Sequence, residues 1–148
     1  MSDFEKIVEI LDENEMKLFA KEVARTLKGG ELVVLDGDLG VGKTFFTAAL
    51  CESLDVDRKK VSSPTYVIMK EYSGKFPVFH WDFYRIAEED ELISADFSEI
   101  LLTHNAINIV EWASLYEWFW KDHLPRIEIK IDFEGKDEQR TIRFKRFG

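Results

Sequence analysis

The spacing of apolar residues changes period several times along the chain, and each change marks an element. After a short apolar run at Ile7-Val8-Glu9-Ile10, Met16, Phe19, Ala20, Val23, Ala24 and Leu27 recur at helical spacing, one stripe that stops at Gly29-Gly30. Asp12, followed by Glu15, has the form of a capping box and predicts the start of that helix. Leu32-Val33-Val34-Leu35 is short and continuously apolar, the pattern of a central strand buried on both faces. A second helix is predicted from about Lys43 to Leu54. Tyr66 to Tyr72 and Phe76 to Tyr84 flank the turn Ser73-Gly74-Lys75 and read as a hairpin. Ile107-Asn108-Ile109-Val110 predicts another buried strand, ended by Glu111, and Arg126 to Ile131 with Thr141 to Lys145 predicts a closing hairpin about Glu134-Gly135-Lys136-Asp137.

Between the first buried strand and the helix after it, Gly37-Asp38-Leu39-Gly40-Val41-Gly42-Lys43-Thr44 fits G-x-x-x-x-G-K-S/T, a phosphate-binding loop. Its glycines let successive backbone N–H groups point inward at a helix N-terminus, where the macrodipole favours an anion. In such a loop Lys43 reaches the β- and γ-phosphates of a nucleotide such as ATP, and the Thr44 hydroxyl holds a bridging Mg²⁺. The fold class that follows is α/β, a P-loop NTPase-like three-layer fold. Because of its hairpins, the central sheet is a mixed parallel/antiparallel one.

A P-loop needs a further acid at the carboxyl end of a neighbouring strand, as metal ligand or to orient water. Glu111 ends Ile107 to Val110 in the Walker B arrangement, and Asp82 ends the first hairpin with His80 on the same side of its strand. Arg85 is a candidate cationic finger or an ordinary surface arginine, and His80 reads as a packed or hydrogen-bonded strand histidine. His104 and His123 have no zinc-ligand spacing with each other or with the lone Cys51, which reads as a small core residue. The run Trp112 to Trp120 places aromatic rings on all sides of a predicted helix. A small protein cannot bury every face of it, so at least one ring is free for a nucleobase or a partner.

Length and charge narrow the classes. At 148 residues the chain is read as one domain, residues 1–148, with no internal repeat or linker. No run reaches the length of a membrane span and the N-terminus lacks the pattern of a signal peptide, so no membrane association and a cytoplasmic location are expected. The net charge of −9 argues against a surface that binds nucleic acid by charge alone, which makes any RNA involvement indirect. The acids concentrate at Glu88-Glu89-Asp90-Glu91, whereas Arg140, Arg143, Lys145 and Arg146 lie in an acid-free C-terminal stretch. Such runs are usually solvated faces, and this asymmetry can also orient a protein partner.

Taken together, Gly37 to Thr44, Ser63-Pro64-Thr65-Tyr66, His80-x-Asp82-x-Tyr84-Arg85 and Val110-Glu111-Trp112 resemble the bacterial TsaE (YjeE) family, the ATPase of tRNA threonylcarbamoyladenosine biosynthesis. The resemblance spans most of the chain. It implies an ATP-binding mixed α/β domain that acts with TsaB and TsaD, the pair that modifies the tRNA adenosine next to the anticodon. It also implies Lys43 as the phosphate lysine, Thr44 and Glu111 as magnesium ligands, and Asp82 as an essential carboxylate near the γ-phosphate. Ser63 to Tyr66, Thr65 included, would form a switch-like loop at the nucleotide, with Trp112 close to it. Where the family usually has a threonine early in its first helix this chain has Met16, so no nucleotide contact is assigned there.

Three functional classes remain. The first is a slow Mg²⁺-dependent ATPase used within a complex. The second is a small-molecule kinase, which needs an arginine-bearing lid where this chain has Glu88 to Glu91. The third is a nucleotide-gated binding module with negligible catalysis. A GTPase is disfavoured, because no N/T-K-x-D motif follows a strand.

Overall fold

A computed structural model describes residues 3–38, 40–61, 68–135 and 137–148. Leu39 of the P-loop and the whole of Ser63 to Tyr66 lie outside them.

Seven strands form one sheet in the order β1-β7-β6-β2-β5-β4-β3. They are β1 (Phe4–Ile10), β2 (Leu32–Asp36), β3 (Met69–Ser73), β4 (Pro77–Asp82), β5 (Ile107–Glu111), β6 (Arg126–Phe133) and β7 (Arg140–Phe147). The central strand β2 pairs in parallel with β5 and β6, and β4 pairs in parallel with β5. The antiparallel strands lie outside this parallel core: β3 on β4, and β7 then β1 on β6. The mixed sheet is therefore the one expected, with the β3–β4 hairpin at one edge and, at the other, the β6–β7 hairpin extended by β1.

Residue alternation splits β2 between two cores, as a pleated strand covered on both faces requires. Val33 and Leu35 join the cluster beneath α1 (Glu13–Thr26) and α2 (Lys43–Ser53), with Phe19, Phe46, Leu50 and Ile109. Leu32 and Val34 join Trp81, Phe83, Phe97 and Val110 beneath α3 (Asp90–Ser94) and α4 (Phe97–Leu101). Helix α1 begins as its capping box predicts: Asp12 Oδ1 accepts from Glu15 N at 3.0 Å, and Glu15 Oε1 reaches back to accept from Leu11 N. Its stripe Met16, Phe19, Ala20, Val23, Ala24 and Leu27 is entirely buried.

The aromatic run departs from expectation. Ala113–Phe119 is not a regular helix; it is a pair of 3₁₀ turns broken at Tyr116, where φ is −139° and ψ 49°. Its side chains hold it in that form, with the Tyr116 hydroxyl donating to Ile86 O at 3.1 Å and Trp120 Nε1 to Ala113 O at 2.8 Å. Bulky rings also lose rotamer freedom against a preceding helical turn. Trp120 is buried and Trp118 is 56% exposed, so one ring is left at the surface as the count of aromatics predicts.

Candidate functional site

The site lies at the carboxyl ends of the parallel strands, where β2 gives way to α2. Gly37 begins the loop with φ at 148°, and a Cβ there would come 2.4 Å from Ile131 O, so only glycine lets β2 turn past β6. Gly42 takes φ of 115° at the N-cap of α2, and its carbonyl accepts from Phe46 N at 2.9 Å. Lys43 and Thr44 therefore open the helix beneath a loop whose N–H groups have no intrahelical acceptor.

Lys43 is buried and folded onto its own loop. Its Nζ donates to Gly37 O at 2.5 Å and to Asp38 O at 2.9 Å, and stands 3.9 Å from the centre of the Trp112 ring. Burial pushes the ammonium below the ordinary lysine range, against the opposing pull of Glu111, Asp36, Asp38 and Asp82. These four carboxylates around one cation leave the pocket acidic. A divalent cation carried in with a polyphosphate offsets their charge.

Strand β5 delivers Glu111, with every residue from Ile107 to Glu111 buried. Thr44 Oγ1 donates to Glu111 Oε1 at 3.1 Å, which joins the two residues predicted as metal ligands across 67 positions of sequence. The pair offers two hard oxygen donors, a hydroxyl and a carboxylate, the set that Mg²⁺ takes when phosphates and water complete its shell. No cluster of three His, Cys, Asp or Glu among the described residues forms an all-protein metal cage.

Asp82 is the register partner of Glu111 on β4. Its Oδ1 accepts from Tyr84 N at 3.1 Å, capping the 3₁₀ turn Phe83–Arg85, while Oδ2 lies 4.0 Å from Arg85 Nε. Burial raises its pKa above the usual aspartate value; the Tyr84 N–H lowers it, the Glu111 charge raises it further, and Arg85 and His80 oppose. His80 is indeed a packed and hydrogen-bonded strand histidine, fully buried with Nε2 at 2.5 Å from Glu111 Oε2. Arg85 is about half exposed and faces Asp82.

Two clefts meet at Gly40 and Gly42. One, of about 210 Å³, is lined by Lys43, Thr44, Glu111 and Trp112; the other, of about 310 Å³, by Ile10, Met16, Val41, Phe45 and Arg140. Met16 thus borders the second cleft with an apolar side chain. Arg140 is a residue that sequence reasoning missed: it reads as one cation of a basic tail, yet its Nε donates to Val41 O at 2.8 Å and pins the P-loop to β7. Its only signal in the sequence is its position at the start of the last alternating run.

A family model described as "Threonylcarbamoyl adenosine biosynthesis protein TsaE" matches residues 10–142. The chain belongs to the TsaE family. It is 40% identical over 137 residues to the tRNA threonylcarbamoyladenosine biosynthesis protein TsaE of Bacillus subtilis, covering 90% of this chain and 81% of that one. The TsaE protein of Aquifex aeolicus is 37% identical over 112 residues, 73% of this chain and 78% of its own. The crystal structure of Bacillus subtilis YdiB superposes with a TM-score of 0.74 at 30% identity, covering all of this chain and 89% of that structure. TsaE membership bears out the family resemblance and the mixed-sheet fold. It also places the chain among nucleotide-binding proteins of tRNA threonylcarbamoyladenosine biosynthesis. No helix among the described residues is long and apolar enough to cross a membrane.

Proposed function

We propose that this TsaE protein binds and slowly hydrolyses Mg²⁺-ATP, and that it does so as an accessory of TsaB and TsaD in tRNA modification. The observation that carries the reading is the 3.1 Å hydrogen bond from Thr44 to Glu111, which brings together, at a P-loop, a hydroxyl and a carboxylate of the kind that bind Mg²⁺. When bound, Mg²⁺ would neutralise charge on the β- and γ-phosphates. Thr44 and Glu111 would hold it, and Lys43 would leave two neutral carbonyls for a phosphate, an exchange for stronger charge-assisted hydrogen bonds. The P-loop residues Gly37, Asp38, Leu39, Gly40, Val41 and Gly42 would wrap the phosphates, with the cleft at Met16 and Phe45, which Asp12, Glu13, Glu138 and Arg140 also line, on the nucleoside side.

Asp82 is the candidate for orienting water. Its raised pKa brings its proton affinity nearer to that of a base working at neutral pH. The kinase reading is disfavoured by the acidic run: Glu91 Oε2 accepts from the Ala87 and Glu88 backbone N–H groups, so these acids organise the start of α3. They offer no cation to a transferring phosphoryl.

A pull-down from lysate with the tagged protein, with and without ATP, tests the partnership, and phosphate release by the purified protein tests the hydrolysis. ATP-dependent recovery of TsaB and TsaD with slow phosphate release is expected. An acceptor metabolite phosphorylated in place of phosphate release would overturn the reading in favour of a kinase.

A further inference from the structure

Glu111 is held at both carboxylate oxygens. Thr44 takes Oε1 at 3.1 Å, and His80 takes Oε2 at 2.5 Å. His80 is fully buried, and its other ring nitrogen, Nδ1, lies 3.2 Å from the Tyr72 hydroxyl. An ionised carboxylate only accepts, so Nε2 carries the hydrogen and donates to Oε2, while Nδ1 shares a hydrogen bond with the Tyr72 hydroxyl. The result is a chain of two hydrogen bonds, Tyr72 hydroxyl with Nδ1 and Nε2–H to Oε2, that crosses the adjacent strands β3, β4 and β5.

We infer that His80, oriented by Tyr72, is a positioning residue for the metal-ligating carboxylate of Glu111; the inference rests on the assignment of Glu111 to the metal. Two observations support it. His80 is fully buried and does not line the phosphate cleft, so its direct hydrogen bond to the site is the one to Glu111. Asp82, the register partner of Glu111, carries a like charge beside it, and an N–H donor on Oε2 holds Glu111 in place against that repulsion. An apolar side chain would fill the same buried volume and supply neither hydrogen bond. Outer partners that orient metal ligands commonly change metal affinity by about 10–100-fold.

The test uses Mn²⁺ as the metal probe, titrated into the full-length protein with saturating ADP and followed by electron paramagnetic resonance of the free ion. In His80→Leu the Mn²⁺ Kd rises by about tenfold, while ADP affinity in EDTA stays at the parent value. In His80→Gln, whose Nε2 amide places an N–H where the imidazole had one, the Kd returns to within about threefold of the parent. Tyr72→Phe keeps the ring, removes the O–H at Nδ1 and raises the Kd by a smaller factor; it carries the comparison if His80→Leu does not fold. Parent-like Mn²⁺ affinity in His80→Leu or in Tyr72→Phe overturns the inference, as does an equal loss in the Leu and Gln variants, which marks a packing role. Glu111→Gln is the separate control: if it binds Mn²⁺ as the parent does, the assignment of Glu111 to the metal is what fails.

Discussion

The Lys43 ammonium stands 3.9 Å from the centre of the Trp112 ring. Trp112 reaches that position with φ of 59°, a left-handed conformation that costs a non-glycine residue about 1–2 kcal/mol. Three contacts offset the cost: Trp112 N donates to Leu35 O at 3.0 Å, Ser114 N donates to Asp36 Oδ1 at 3.0 Å, and the ring faces the cation. At about 0.5–1.5 kcal/mol for each hydrogen bond and 0.5–2 for the cation–π contact, the three together are of the same size as the strain or larger. The end of β2 thus carries the P-loop and anchors the turn that lays an aromatic face on its lysine.

Lys43→Ala is expected to weaken ATP binding about ten- to a hundredfold, the equivalent of one charge-assisted phosphate interaction of roughly 1.5–3 kcal/mol. The fold survives, because the lysine's hydrogen bonds go to carbonyls of its own loop and the variant takes from Trp112 one cation–π contact of about 0.5–2 kcal/mol. Calorimetric titration with ATP checks this, and unchanged affinity would remove Lys43 from the phosphate site.

Glu111 and Asp82 are neighbours on β5 and β4 with different surroundings, and their variants should differ accordingly. Glu111→Ala is expected to weaken Mg²⁺-dependent ATP binding, whereas Asp82→Ala lowers hydrolysis more than binding. Calorimetry with and without Mg²⁺, beside single-turnover phosphate release, separates the two; the reverse pattern would mean that the roles are exchanged.

Asp82 also predicts a pH dependence of stability. Its folded-state pKa is raised, so the native carboxylate is penalised above that pKa, and the penalty disappears as pH falls below the unfolded value. Asp82→Asn, which keeps an acceptor for Tyr84 N, is expected to melt higher than the parent at pH 7, by about 2–4 °C per kcal/mol of relieved penalty. The gain shrinks towards zero as pH falls into the ordinary aspartate range. Thermal melts across that range decide it, and a gain independent of pH would trace the effect to something other than ionisation.

Far from the site, Glu31 and Arg146 form a buried ion pair, with Oε2 3.7 Å from Nη2 and both side chains at most 4% exposed. The Glu31 carboxylate also accepts from Lys28 N and Gly29 N at the turn into β2. Glu31→Ala leaves a buried cation without its partner and is expected to cost about 3–5 kcal/mol in urea unfolding. A loss below about 1 kcal/mol would show that water reaches the guanidinium.

Much of this architecture is legible in the sequence because it is written in local signals. The Asp12 cap, the stripe from Met16 to Leu27 and the doubly buried Leu32 to Leu35 depend on periodicity and short-range hydrogen bonds, and all are found where expected. Glu111 is legible because a lone acid ending an apolar strand has little to do there but meet a ligand. Contacts set by sheet order are not legible in the same way. Arg140 reaches Val41 only because β7 is folded in beside β6, and Tyr72 meets His80 only through the β3–β4 register. The break at Tyr116 has no local signature, since the hydroxyl bond that accompanies it goes to Ile86.

The last prediction concerns coupling between nucleotide and partners. If Mg²⁺ and the γ-phosphate order Ser63 to Tyr66, then protein loaded with ATP docks on the TsaB–TsaD pair more tightly than protein with ADP or none. The exposed ring of Tyr84 lies 4.9 Å from that of Trp112, and the exposed Trp118 donates from Nε1 to Glu89 in the acidic run at 3.1 Å, which joins these rings and acids in one patch beside the site. A surface of that charge makes the binding weaken with salt. Nucleotide shifts the docking equilibrium only by its difference in affinity for the two loop states, so linkage requires the partners to tighten ATP binding by the same factor, about 1–3 kcal/mol. Surface plasmon resonance of the partner pair at fixed ionic strength gives one arm of the cycle, and ATP titration with and without partners gives the other. Equal partner affinity with ATP, ADP and no nucleotide would refute the switch and leave a constitutive scaffold; unequal factors on the two arms would mean that hydrolysis, not binding equilibrium, drives the change.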